Sequence, residues 1–186
     1  IRTGSPQVKV QKEQVLSPGE FDAIIHLSGI KTGLIINALY QTAARVSELV
    51  NIKLSDCRVT DQGVVIRVLG KGGKVRSIFM SIDVFRSICN VYLGKVYLFE
   101  TDNGTPLNRR TVHTLIKRAG NKIGRPDIHA HTLRHSFATH RLQDLGIDAV
   151  SEYLGHSSPE VTAKYYLHKS ATIEEVLQGS KSVGKN

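Results

Sequence analysis

Acidic side chains are in short supply: 16 Asp and Glu stand against 25 Lys and Arg, a formal net charge of +9 over 186 residues. A deficit of that sign disfavours cationic partners and favours a polyanion, nucleic acid before a membrane surface. Cysteine is nearly absent. Cys57 and Cys89 lack the spacing of a disulfide framework or a zinc knuckle, so both are read as reduced thiols of a cytoplasmic protein. No apolar run approaches the ~20 residues a membrane span needs, and no signal peptide opens the chain, so no membrane partner is expected. Tryptophan is missing altogether, yet 40% hydrophobic residues still suffice for one full domain with a proper core. Internal repeats are also lacking. The first residue is Ile1 rather than Met, and a further domain upstream is expected.

Residues 1–16 are polar and pattern-free and read as a linker. Ser17-Pro18-Gly19-Glu20 has the spacing of a helix start, with a Ser cap, Pro in the first turn and Glu three residues on. A first helix then runs toward Gly29, and a second, apolar on nearly all sides and therefore central, spans about Thr32 to Ala43. A short helix follows at Ser47–Ile52. Gly63–Leu69 and Val75–Met80 are β-branched strands about a Gly-rich turn, with a third short strand expected at Val96–Phe99. Further helices are expected over Asn108–Ile123, His131–Leu145, Asp148–Tyr153, Ser158–Tyr165 and Thr172–Gln178. The last eight residues, 179–186, form a Ser, Gly and Lys tail expected to be disordered. The fold class is mainly α with a small antiparallel β-sheet (α+β).

The chemistry concentrates in His131-Thr132-Leu133-Arg134-His135, Gly155-His156 and Tyr165-Tyr166. Arginine offers a planar fork that matches two phosphate oxygens, and tyrosine offers an oxygen that can hold a phosphoryl group covalently. His129, His131, His135 and His140 look like metal ligands, since His131 and His135 lie one helical turn apart. No glutamate lies between them, however, and Arg134 would repel a cation. His131 and Arg134, three apart, present donors on one face and suit a phosphate better. His140 reads as a packed, hydrogen-bonded histidine. Arg45 sits between two apolar helical stretches, where it either pairs with Glu48 one turn on or uses Glu48 as a brace while facing an anion. Gly70-Lys71-Gly72-Gly73-Lys74 is either an ordinary turn or the tip of an arm carrying Lys71, Lys74 and Arg76 into a DNA groove; it lacks P-loop spacing. Gly155 reads as a helix C-cap that leaves His156 in a loop. A phenol with a pKa near 10 needs surrounding cations to act as a nucleophile at neutral pH.

Taken together, Ala44-Arg45-Val46-Ser47-Glu48-Leu49, Gly70-Lys71-Gly72-Gly73-Lys74-Val75-Arg76, His131 through Thr139, Leu154-Gly155-His156-Ser157-Ser158 and Tyr166-Leu167-His168 resemble the catalytic domain of the tyrosine recombinases, the phage integrases and Xer-type enzymes. The resemblance covers about residues 17–178 and implies the tyrosine recombinase catalytic-domain fold. It implies that Arg45 and Arg134 clamp the scissile phosphate, that Lys71 protonates the departing 5′-oxygen, that His131 assists proton transfer at the tyrosine and that His156 hydrogen-bonds the phosphate. Tyr166 would attack to leave a 3′-phosphotyrosyl link; Tyr166-Leu167-His168 matches the family's tyrosine–any–histidine ending, and Tyr165 is the alternative. Neither metal nor ATP, and no other cofactor, is implied. The implied partners are double-stranded DNA carrying a specific recombination site and further copies of the chain, a tetramer on DNA joined through Thr172–Gln178. An N-terminal DNA-binding domain would precede the linker, and the protein would be cytoplasmic and nucleoid-associated. Two rivals share parts of this pattern: a type IB topoisomerase, and a non-catalytic DNA-binding module.

Overall fold

In the computed structural model, residues 15–155 are described. Ser17 opens the first helix, α1 (Pro18–Leu27), through the capping box expected from the sequence: its hydroxyl accepts from the Glu20 N–H, and the Glu20 carboxylate accepts from the Ser17 N–H. Leu16, at the edge of the polar leader, is fully buried, and its N–H donates to Ser136 Oγ at 2.9 Å. The second helix, α2 (Ile30–Thr42), buries Ile35, Ile36, Ala38 and Leu39. It packs against α1 and against three later helices, α4 (Ile82–Tyr92), α5 (Arg109–Lys122) and α6 (Ala130–Leu145). It is the central helix that its all-round apolar character implied. Each such buried aliphatic side chain contributes roughly 1.5–3 kcal/mol relative to exposure, so this helix anchors the core.

One turn of helix, α3 (Val46–Leu49), leads into a three-stranded antiparallel meander of β1 (Cys57–Thr60), β2 (Gly63–Leu69) and β3 (Val75–Met80). Val64, Ile66 and Val68 of β2 alternate into the core, and the register sets Val68 opposite Arg76. The third strand is thus Cys57–Thr60, not Val96–Phe99. The latter pairs only as an isolated antiparallel bridge, Tyr97 opposite Lys53, and Glu100 competes for its donors: the carboxylate accepts from the backbone N–H groups of Lys95, Val96 and Tyr97 at 3.2, 2.8 and 2.8 Å. With those donors taken, the segment makes only single bonds to its neighbours, Leu98 N–H to Ile52 O and Leu54 N–H to Val96 O among them. The sequence reading also passed over α4. Its signals were present: Ser81 caps it through the Val84 N–H, and Ile82, Phe85, Ile88, Cys89 and Tyr92 line the face that packs on the core.

The final described helix, α7 (Ile147–Leu154), ends at Gly155 with φ +64°, the left-handed cap expected there. A second apolar cluster of Ala43, Phe137, Ala138, Val150 and Leu154 fastens α6 and α7 to the end of α2. Beside it the His140 ring is hydrogen-bonded to the Tyr40 hydroxyl at 2.7 Å, so His140 is a packed histidine. This cluster matters because it brings the carbonyls of Ala43 and Leu154 to the same place. Cys57 and Cys89 are free and half-buried; burial, with the Asp56 and Cys89 charges, pushes the Cys57 thiol up to about 12. The expected elements beyond Gly155, Ser158–Tyr165 and Thr172–Gln178, lie outside the described residues, as do most of the leader and the tail.

Candidate active site

Helix α2 ends in a conformation unusual for a residue with a side chain. Ala43 is left-handed, with φ +46° and ψ +27°, a conformation that costs an L-residue roughly 1–2 kcal/mol. It turns the chain sharply, so that Arg45 becomes the cap of α3. Glu48, in the first turn of α3, accepts from the Arg45 N–H at 2.7 Å through Oε2 and from Arg45 Nη1 at 2.9 Å through Oε1. Arg76 of β3 reaches the same carboxylate from the other side, Nη1 to Oε1 at 2.7 Å and Nη2 to Oε2 at 3.0 Å, and donates Nε to the Tyr153 carbonyl at 3.1 Å. The Glu48 side chain is 4% exposed and that of Arg45 37%. Arg45 is therefore paired with Glu48 along one edge of its guanidinium, while the rest of the side chain is open to solvent. Arg76, in contrast, is turned inward and is no part of a groove-entering arm.

Arg134, on α6, is 5% exposed. Its Nη1 donates to the Ala43 carbonyl and its Nη2 to the Leu154 carbonyl. Both acceptors are neutral, and among the described residues no carboxylate forms an ion pair with it. Arg45 and Arg76 thus share the carboxylate of Glu48, and Arg134 donates to neutral carbonyls alone. Burial, then the Arg45 and Arg76 charges, pull the Arg134 pKa down to about 10, and it stays protonated at neutral pH. Burial works to raise the Glu48 pKa, but the Arg76 hydrogen bonds and the Arg45 backbone outweigh it and hold the carboxyl below its usual range.

That depression has a testable consequence. The stability Glu48 contributes is present above its unfolded-state value of about 4.3 and is lost as pH falls through its lower folded value. Glu48→Gln is expected to flatten the acid side of the Tm-versus-pH curve in that window; a variant curve parallel to wild type would mean the carboxylate carries no linked stability.

Arg45 and Arg134 line one cleft of about 250 Å³ together with Ser47, His131, Arg109 and His113. Burial, then the charges of Arg134, His129 and Arg45, hold the His131 pKa below the ordinary imidazole value. The ring is therefore held in its neutral form, with one nitrogen free of a proton and open to a donor. His129 is engaged elsewhere, its Nδ1 2.8 Å from Thr132 Oγ1 and 2.9 Å from the Asp127 carbonyl oxygen. Among the described residues no three His, Cys, Asp or Glu side chains gather as metal ligands would.

Arg109 and His113 were not singled out by sequence. They lie four apart on α5, a helix with Arg109, Arg110, Lys117, Arg118 and Lys122 and no acidic residue, and that imbalance was the available signal. The same face continues into a neighbouring groove of about 490 Å³ with Arg110 and Lys117 on its wall. The cleft is thus a concave, cation-rich site in which a phosphate would meet the two guanidiniums predicted to bind it.

The model of the phage integrase family matches residues 14–172, nearly the whole chain. The chain belongs to the phage integrase family. Within it, the chain is 40% identical over 153 residues to tyrosine recombinase XerC of Staphylococcus carnosus, covering 74% of this chain and 49% of that protein. To tyrosine recombinase XerA of Pyrococcus horikoshii it is 30% identical, covering 96% of this chain and 65% of that one. A crystal structure of XerA recombinase superposes with a TM-score of 0.73 at 29% identity, covering 92% of this chain and 66% of that one. The chain therefore spans about half the length of the Staphylococcus relative, and its mainly helical architecture with one small sheet is that of the family's catalytic domains.

Of the six site residues expected from sequence, three meet in this cleft of a phage integrase family domain: Arg45, His131 and Arg134. Lys71 falls in the tight turn Lys71–Gly73 between β2 and β3. His156, which follows the Gly155 cap, and Tyr166 lie outside the described residues but inside the stretch matched by the family model.

Proposed function

We propose that this chain is the catalytic domain of a site-specific DNA recombinase that cuts and rejoins strands through a 3′-phosphotyrosyl intermediate. The observation that carries the reading is the meeting of Arg45 and Arg134, 89 positions apart in the chain (134 − 45), at one cleft with more guanidinium than carboxylate. A phosphodiester supplies the missing anion, and its non-bridging oxygens gain charge as the pentacoordinate transition state forms, so that stabilisation grows along the reaction. His131 takes the phenolic proton of Tyr166, whose oxygen forms the new P–O bond. The P–O5′ bond breaks, Lys71 protonates the departing 5′-oxygen, and His156 hydrogen-bonds the phosphoryl group. The ester energy is retained, and a 5′-hydroxyl from a second strand reverses the step on a new partner. No group in this scheme needs a metal or ATP.

The basic face of α5, continuous with the cleft, supports double-stranded DNA as the substrate, because its side chains meet backbone phosphates without reading sequence. Residues 17–178 form the catalytic unit in this reading, with 1–16 linking it to a DNA-binding domain. In this reading the chain works as a homo-oligomer, a tetramer on DNA. Thr172–Gln178 of one copy would cover the apolar groove of about 670 Å³ that Phe21, Tyr40, Phe79, Phe137 and Tyr153 line on the next. Such a protein would act at the nucleoid.

A DNA duplex nicked beside the cleavage position tests the reading, because loss of the short cleaved strand traps the covalent complex. Wild-type protein is expected to form an SDS-resistant adduct at equal rates with and without EDTA. Phosphate contacts without an adduct would mark a binding module, unspecific relaxation of supercoils a topoisomerase, and abolition by the chelator a metal-dependent nuclease.

A further inference from the structure

Arg76 is the one guanidinium of the cluster that does not line the cleft, and its surroundings are unusually specific. Both its Nη atoms are spent on Glu48, its Nε on the Tyr153 carbonyl, and its side chain is 12% exposed. Glycine touches it on two sides. A Cβ added at Gly70 would stand 3.6 Å from Arg76 Nη1 and 3.6 Å from Glu48 Oε1, so the base of the Lys71 turn rests directly on the ion pair. A Cβ at Gly155 would come within 3.0 Å of Arg76 Cδ, so the end of α7 rests on the stem of the same side chain. The residues that follow these two glycines are Lys71 and His156. The carboxylate that Arg76 holds is the brace of Arg45. One side chain thus lies against the segments that carry Arg45 and Lys71 and against the Gly155 cap, while itself standing outside the cleft.

We infer that Arg76 is a positioning residue for the strand-transfer reaction: by docking the β2–β3 turn on the Glu48 carboxylate it sets Lys71 against the departing 5′-oxygen. The inference rests on the recombinase reading above. Its chemistry separates it from plain structural support. Expulsion of a 5′-oxygen needs a proton in the transition state, and Lys71 supplies it. A substrate whose bridging 5′-oxygen is replaced by sulfur expels a thiolate, a stable anion that needs no proton from the enzyme. A turn that drifts away from the phosphate therefore damages the first substrate and spares the second. A general loosening of the fold damages both.

The test compares Arg76→Lys with wild type on nicked duplexes carrying either 5′-oxygen or 5′-sulfur at the cleavage position, in single-turnover conditions. The lysine keeps the charge, but it lacks the fork that holds both carboxylate oxygens and the Tyr153 carbonyl together. Cleavage of the oxygen substrate is expected to fall about 100-fold and that of the sulfur substrate by less than about 10-fold, the range of a lost general acid. If Arg76→Lys does not fold, Gly70→Ala makes the same comparison, because its added methyl would stand 3.2 Å from the Lys74 carbonyl oxygen and so shift the turn from within, at ordinary distance from the ion pair and without a backbone penalty at φ −85°. Equal losses on both substrates, or no loss on either, overturn the assignment of Arg76 while leaving the recombinase reading intact. Wild-type protein that cleaves neither substrate overturns that reading and the assignment with it.

Discussion

Tyr166→Phe is expected to abolish the covalent DNA adduct altogether, and Tyr165→Phe to retain it. Phenylalanine has the shape of tyrosine but no oxygen, so no phosphoryl group can be held, whatever else the site preserves. A phenol of ordinary pKa near 10 is ionised to only about one part in a thousand at neutral pH. The cleft changes that balance: two guanidiniums, Arg45 and Arg134, stand there against the single Glu48 carboxylate that Arg45 shares with Arg76, and His131 is kept in its neutral form. Electrophoresis in SDS on the nicked substrate reads the result directly. Loss in Tyr165→Phe with retention in Tyr166→Phe would transfer the role to the neighbouring residue; retention in both would refute a tyrosine nucleophile.

Arg134→Gln comes next in size, with an expected fall in cleavage rate of about 100- to 1000-fold, the magnitude found when one preorganised donor to a developing oxyanion is removed. Arg134 is held by the carbonyls of Ala43 and Leu154, which aim it before any DNA arrives. Most of its contribution is therefore realised as charge develops, and DNA affinity is expected to change much less than rate. Because the substitution also strips donors from two buried carbonyls, a stability loss of about 1–3 kcal/mol should accompany it, and rates must be compared at a temperature where both proteins are folded. Arg134→Lys keeps the charge but not the fork, and should recover little. A folded Arg134→Gln protein cleaving within about 10-fold of wild type would remove Arg134 from the phosphate clamp, the reverse of the loss expected for an oxyanion donor.

Local rules carried the sequence reading a long way. Ser17 and Glu20 announced the first helix, Gly155 the end of the last described one, and the β-branched runs about Gly70–Lys74 the hairpin. These are short-range features, set by capping, left-handed glycine and side-chain periodicity, so they can be read without the rest of the molecule. The misplaced third strand failed for the opposite reason. Val96–Phe99 has strand composition, but Glu100 takes the donors of Lys95, Val96 and Tyr97 and the segment keeps a single bridge to Lys53, a local competition that composition does not register. Helix α4 was legible in its Ser81 cap and apolar spacing, and was passed over beside the stronger β pattern before it.

By itself the sequence determined the chemical inventory: a cation-rich chain, two candidate phosphate-binding arginines, a histidine one turn from the second of them and a tyrosine pair near the end. Hydrophobic periodicity and caps determined most of the elements. Only the tertiary structure decided which of those groups meet. It joined Arg45 and Arg134 at one cleft, recruited Arg109 and His113 from a helix no motif marked, and turned Arg76 inward onto Glu48. The physical reason is that a guanidinium's role depends on what its partners leave unsatisfied. That balance is struck between residues far apart in the chain, once burial has removed water as the alternative partner.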